Sequence, residues 1–148
     1  MATFSTVADL TITTASITDG QGRKSANVDN STDLYQRIHW YTRLASGGTG
    51  PTAGTLYEMY AFREDNFATE YTTDGTGTTN VPLIATPENA ELIGTVVLTN
   101  TANKFFYGEG VWEDPGPGGW AMGFMNEGGQ TMSTTEADGF IHWIGEKA

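Results

Sequence analysis

The chain contains two histidines, and both sit in the same tripeptide, Ile38-His39-Trp40 and Ile141-His142-Trp143. Imidazole titrates near neutrality and is the commonest metal ligand, so two in one neighbourhood would suit a metal site or a pH-sensitive joint. A first long strand and a last strand that pair antiparallel would bring them together. A zinc site, however, needs a fuller ligand set. The sequence offers no cysteine and no third ligand at a suitable spacing. A cross-strand aromatic pair on an outer sheet face explains the two tripeptides with fewer assumptions.

The second candidate is the loop from Trp112 to Trp120, which carries Glu113 and Asp114 ahead of Pro115-Gly116-Pro117-Gly118-Gly119. An exposed indole beside carboxylates suits the stacked face and hydroxyls of a sugar. The same residues also describe a rigid Pro/Gly connection between antiparallel strands, anchored by buried tryptophans. The Asp-Gly and Asp-Asn steps at Asp19, Asp29, Asp65, Asp74 and Asp138 lack the regular offsets of a calcium loop and read as turns. No Gly-x-Ser-x-Gly elbow occurs. The adjacent carboxylates Glu64/Asp65 and Glu113/Asp114 would point to opposite faces of a strand, which disfavours shared acid–base work. Gly20-x-Gly22 before Arg23-Lys24 follows no parallel strand and opens no helix, so it is no phosphate loop. The expectation is a non-enzyme with no cofactor and no metal.

The elements that must position these residues read as strands. Val7–Thr14 alternates, with Ala8, Leu10 and Ile12 on one face, and Asp19–Lys24 reads as a turn-rich loop. Leu34–Leu44 is the clearest strand. It sets Ile38, Trp40, Thr42 and Leu44 against Arg37, His39, Tyr41 and Arg43, the pattern of a sheet with one wet side. Thr55–Arg63, Glu91–Thr99, Asn103–Glu109, Ala121–Asn126 and Phe140–Ile144 follow. Between them, 64–80 reads as a polar excursion with a short strand near Ala68–Tyr71, and Thr86-Pro87 as the start of a single capped turn. About eight strands separated by turn signals indicate an all-β sandwich or barrel.

Threonine is the commonest residue, with 19 glycines and no cysteine among 148 residues, a composition suited to strands and tight turns. The length fits one domain, with residues 1–25 as an N-terminal strand or arm and 26–148 as the sandwich. Disulfides and thiolate zinc are excluded. A net charge of -11 argues against nucleic acid as a partner. The N-terminus lacks the basic-then-apolar pattern of a signal peptide, and no apolar run approaches membrane-span length, so synthesis in a cytosol without membrane insertion is expected. Arg23, Lys24, Arg37, Arg43 and Arg63 fall in the first half, which makes that half the better candidate to meet an acidic partner.

The order of parts resembles a known family. Ala26-Asn27-Val28-Asp29-Asn30-Ser31-Thr32-Asp33-Leu34-Tyr35 precedes the long strand, and Gly50-Pro51-Thr52-Ala53-Gly54-Thr55 precedes the next. Glu91-Leu92-Ile93-Gly94, Phe106-Tyr107-Gly108 and Trp120-Ala121-Met122-Gly123-Phe124 come later, and Asn126-Glu127-Gly128-Gly129-Gln130 opens the closing stretch. From about Ala26 to Ile144 the chain is similar to small virion proteins of tailed bacteriophages, encoded among head and tail genes. The resemblance implies a jelly-roll-like antiparallel β-sandwich with long Gly/Thr-rich loops. It also implies a head decoration (cement) protein on the capsid surface of the virion, made in the host cytoplasm. The major capsid protein would be its partner, and a homotrimer its favoured oligomer. Phe4, Val7 and Leu10, on an arm able to add a strand to a neighbour, are candidate assembly contacts together with Arg23 and Lys24. The alternative role is a tail-fibre, spike or carbohydrate-binding recognition module that uses Trp112, Glu113, Asp114 and Trp120.

Overall fold

A computed structural model describes residues 1–63 and 90–148. The excursion at 64–80, the short strand near Ala68–Tyr71 and the capped turn at Thr86 lie outside the described residues. Within them the chain is all-β. The strands are β1 (Thr3–Phe4), β2 (Ala8–Asp9), β3 (Gln21–Lys24), β4 (Val28–Asp29), β5 (Arg37–Ala45), β6 (Leu56–Arg63), β7 (Ala90–Val97), β8 (Phe105–Glu113), β9 (Gly119–Glu127) and β10 (Phe140–Lys147). A 3-10 turn at Glu136–Asp138 precedes the last strand.

Two antiparallel five-stranded sheets face each other. Sheet A runs β1-β10-β5-β8, with β2 also on β10; sheet B runs β3-β9-β6-β7, with β4 also on β9. The pairs β1/β2 and β3/β4 each lie along a single partner strand, so each pair acts as one interrupted strand. Eight staves result, and their order in the two sheets is that of a jelly roll.

The alternation expected for the long strand is what builds sheet A. Ile38, Trp40, Thr42 and Leu44 of β5 are buried, and their neighbours point outward. The ladder between β5 and β8 runs without a slip from Arg37 opposite Glu113 to Ala45 opposite Phe105. One-sided burial fixes such a register, because a slip by one residue would turn every apolar side chain into water. On sheet B, β9 is buried along almost its whole length. Trp120, Met122 and Phe124 enter the main core, whereas Ala121 and Met125 join Tyr60 and Phe62 in a second apolar cluster.

Trp40 is buried between the sheets, and glycines make room for it. A β-carbon at Gly110 would lie 2.7 Å from the indole, as would one at Gly94, and Gly108 also borders the ring. These glycines serve close packing of an indole against β7 and β8.

Two expectations need correction. Gln21–Lys24 is a strand paired with β9 from Gln21 opposite Asn126 to Lys24 opposite Gly123, not a loop. Its polar composition hides this, because the partner strand rather than local pattern draws it into the sheet. Val7–Thr14 is not one continuous strand: only Ala8–Asp9 pairs, with β10. Leu10 still bonds to Ile141, but beyond it the backbone finds other partners. Thr14 donates to the Glu136 carboxylate at 2.6 Å, and Ser16 donates to Ser133. Residues 1–25 therefore supply strands to both sheets.

Candidate functional site

The central strands of sheet B are covered on both sides, and the inner face of sheet A is core. Among the described residues the outer face of sheet A is a broad accessible surface, and alternation determines which residues reach it. From β8 come Phe105, Tyr107, Glu109, Val111 and Glu113, all exposed. From β5 come Arg37, His39, Tyr41 and Arg43; β10 adds Phe140, His142, Ile144 and Glu146.

A sheet with a wet side would ordinarily present polar groups there. This one presents aromatics in a continuous diagonal row. Tyr107 lies against Tyr41 with ring centroids 6.1 Å apart and planes 21° from parallel. Tyr41 meets Phe140 at 5.8 Å, and Phe140 stacks on His142 at 4.0 Å. The Arg43 guanidinium sits 4.7 Å from the Phe105 ring and 4.8 Å from that of Phe140. Its Nε and Nη2 donate to the carbonyls of Asp138 and Ala137. Such cation–π contacts contribute about 0.5–1 kcal/mol at exposed sites.

The charged groups of the face are mostly paired. Arg37 donates from Nε to both Glu113 oxygens, at 2.9 and 3.0 Å, and from Nη1 to Glu146 at 3.2 Å. His39 Nε2–H donates to Glu146 Oε2 at 2.7 Å. That hydrogen bond, with the nearby Arg37 charge, holds the Glu146 carboxyl below the usual carboxylate range. Hydrogen bonding and charge from Glu113, more than from Glu146, raise Arg37. His142 Nε2 lies 2.9 Å from Asp9 Oδ1, a contact that ties β2 to β10. Phe4 of β1 packs edge-on against His39 at 5.6 Å. Between these groups runs an open groove of about 580 Å3, lined by Val7, His39, Tyr41, Glu109, Val111 and His142 among others.

The two histidines therefore share one neighbourhood, as antiparallel pairing of the first long strand with the last predicts. His39 stands opposite Ile144 and His142 opposite Tyr41. Among the described residues, no group of three or more His, Cys, Asp or Glu side chains converges on a possible metal position.

The other sequence candidates scatter. Phe4 and Val7 are each 60% exposed and lie on the outer face of sheet A. Leu10 is buried in the core, and Arg23 and Lys24 are buried on β3, so these three offer no surface for an assembly contact. Lys24 Nζ lies 5.5 Å from the Phe62 ring centroid. Trp112 and Trp120 are core residues, 1% and 0% exposed, with centroids 6.1 Å apart. Trp112 Nε1 donates to Glu91 at 2.9 Å. Neither indole can present a stacking face to a sugar, so the reading as buried anchors of a rigid connection describes this pair. Glu113 and Asp114 remain exposed at the connection. The aromatic row is the feature that sequence reasoning missed. Its signal was present in Phe105-Phe106-Tyr107, where alternation around a buried Phe106 sends both neighbours outward.

Compared with models of protein families and with curated proteins, the chain matches none.

Proposed function

We propose that this protein is a non-catalytic structural component of a bacteriophage virion, a decoration (cement) protein that mounts on the head shell and stabilises it. The observation that carries this reading is the outer face of sheet A. There Tyr41, Phe105, Tyr107 and Val111 are exposed together, beside Phe4 and Val7. Contiguous apolar surface of this kind marks interaction sites on soluble proteins. Aromatic residues and arginine are also the types enriched where proteins meet. The major capsid protein is the proposed partner. The ordered resemblance from Ala26 to Ile144 supports the virion context, and the jelly-roll order is the architecture that resemblance implies.

A net charge of -11 suits the role in a second way. A protein loaded in many copies must stay soluble and monodisperse before it binds, and self-repulsion favours that. On a lattice of equivalent sites, modest contacts suffice if copies engage more than one subunit. The test is copy number in purified particles by quantitative mass spectrometry. Hundreds of copies per particle are expected. A handful would overturn the head reading and favour a tail-fibre or spike component.

A further inference from the structure

We infer that the groove on the outer face of sheet A receives an arginine side chain of the protein on which the face docks, with Glu109 as counter-ion and Tyr41 as the stacking surface. The inference deepens the proposed function and rests on it for the identity of the docking partner.

The charges of this face decide the chemistry. Arg37 is matched by Glu113 and Glu146, His39 by Glu146, and His142 by Asp9. Arg43 is matched by two carbonyls and two rings. Glu109 is the one ionised side chain of the face with no partner among the described residues. It stands opposite Tyr41 in the ladder and two residues from Tyr107 on β8, and it lines the groove. With neutral imidazoles, the acids Asp9, Glu109, Glu113 and Glu146 outnumber Arg37 and Arg43. The surface is thus complementary to a cation.

Geometry favours guanidinium over ammonium. A guanidinium is planar and weakly hydrated, stacks on aromatic faces and binds carboxylates through two parallel N–H donors. The Tyr41 ring lines the groove directly opposite Glu109 in the ladder and offers a flat surface beside a carboxylate. The same face already holds one guanidinium in this way, that of Arg43 between Phe105 and Phe140. The proposed ligand would occupy the next position along the row. Arginine is also among the residues that dominate binding energy at protein interfaces.

The experiment titrates the full-length 15N-labelled chain with N-acetyl-arginine amide, and separately with N-acetyl-citrulline amide, a neutral isostere. Amide shifts are expected to cluster at Tyr41, Gly108, Gly110 and Val111. The arginine probe should bind about tenfold more tightly than citrulline, the loss typical of one charge-assisted contact. Glu109→Gln is exposed and should fold normally; it should bring the arginine probe to the citrulline level. Tyr41→Leu should weaken arginine binding severalfold while the salt dependence supplied by Glu109 persists. Equal binding of the two probes, shifts centred elsewhere, or arginine binding unchanged in Glu109→Gln would each overturn the inference. Attachment to particles is read separately. If wild type and Glu109→Gln attach equally well, the inference fails and the mounting role stands. If the arginine probe binds as expected but wild type does not attach, the arginine site stands and the mounting role fails.

Discussion

Glu146 takes a hydrogen bond from His39 at 2.7 Å and another from Arg37 at 3.2 Å, and its carboxyl is held below the ordinary range by them. A carboxyl whose pKa is lower folded than unfolded contributes stability that is present above the unfolded value, about 4.3 for Glu. That contribution is lost as pH falls through the folded value. Melting temperatures of wild type and Glu146→Gln should therefore differ at neutral pH and converge as the solution is acidified below about pH 4. A gap that widens on acidification would contradict the assignment. Packing around Trp40 gives a second residue-scale prediction. Alanine at Gly110 would place its β-carbon 2.7 Å from an indole that is itself 3% exposed. Overpacking of this kind costs about 1–3 kcal/mol, which urea denaturation of Gly110→Ala would measure. Such glycines look like turn signals in the sequence, because their reason is an indole brought from another strand.

At the scale of elements, Asn30 joins the turn before β5 to the connection between β8 and β9. Fully buried, it donates from Nδ2 to the carbonyls of Tyr35 at 3.1 Å and Gly116 at 2.7 Å, and its Oδ1 accepts from the Tyr35 amide at 2.8 Å. Asn30→Ala would strand these groups, at about 1–3 kcal/mol for each one left unpaired in the interior. The Tyr35 amide should then exchange with solvent much faster than in wild type. The strands themselves divide by how they could be read. β5 is legible because one of its faces is wet, so alternation names its buried residues, and its antiparallel pairing with β10 is the one expected of the first long strand and the last. β3 is not, because Gly22, Arg23 and Lys24 enter the interior through pairing with β9, and no local pattern announces a buried lysine over Phe62. The aromatic row lies between these cases. Each ring's outward direction follows from alternation, but their contact depends on the register of three strands.

For the whole molecule, the acidity does not separate into a partner-facing half and an outward half, as the distribution of basic residues along the chain would suggest. Jelly-roll interleaving places β5 of the first half between β8 and β10 of the second, so both halves build the same face. The net charge of -11 is better understood as repulsion spread over the particle. Raising ionic strength from about 0.01 to 0.15 M shortens the screening length from about 30 to 8 Å. The melting temperature should rise across that range, and a fall would mean that surface ion pairs outweigh the repulsion. The proposed role has this protein mount on a virion head through the outer face of sheet A. Electron cryomicroscopy of purified particles carrying the protein tests it most directly. The expected result is sandwich-shaped density over the shell with Tyr41, Tyr107 and Glu109 facing the capsid protein. Density in which that face points to solvent, or particles whose shell lacks the protein, would contradict it.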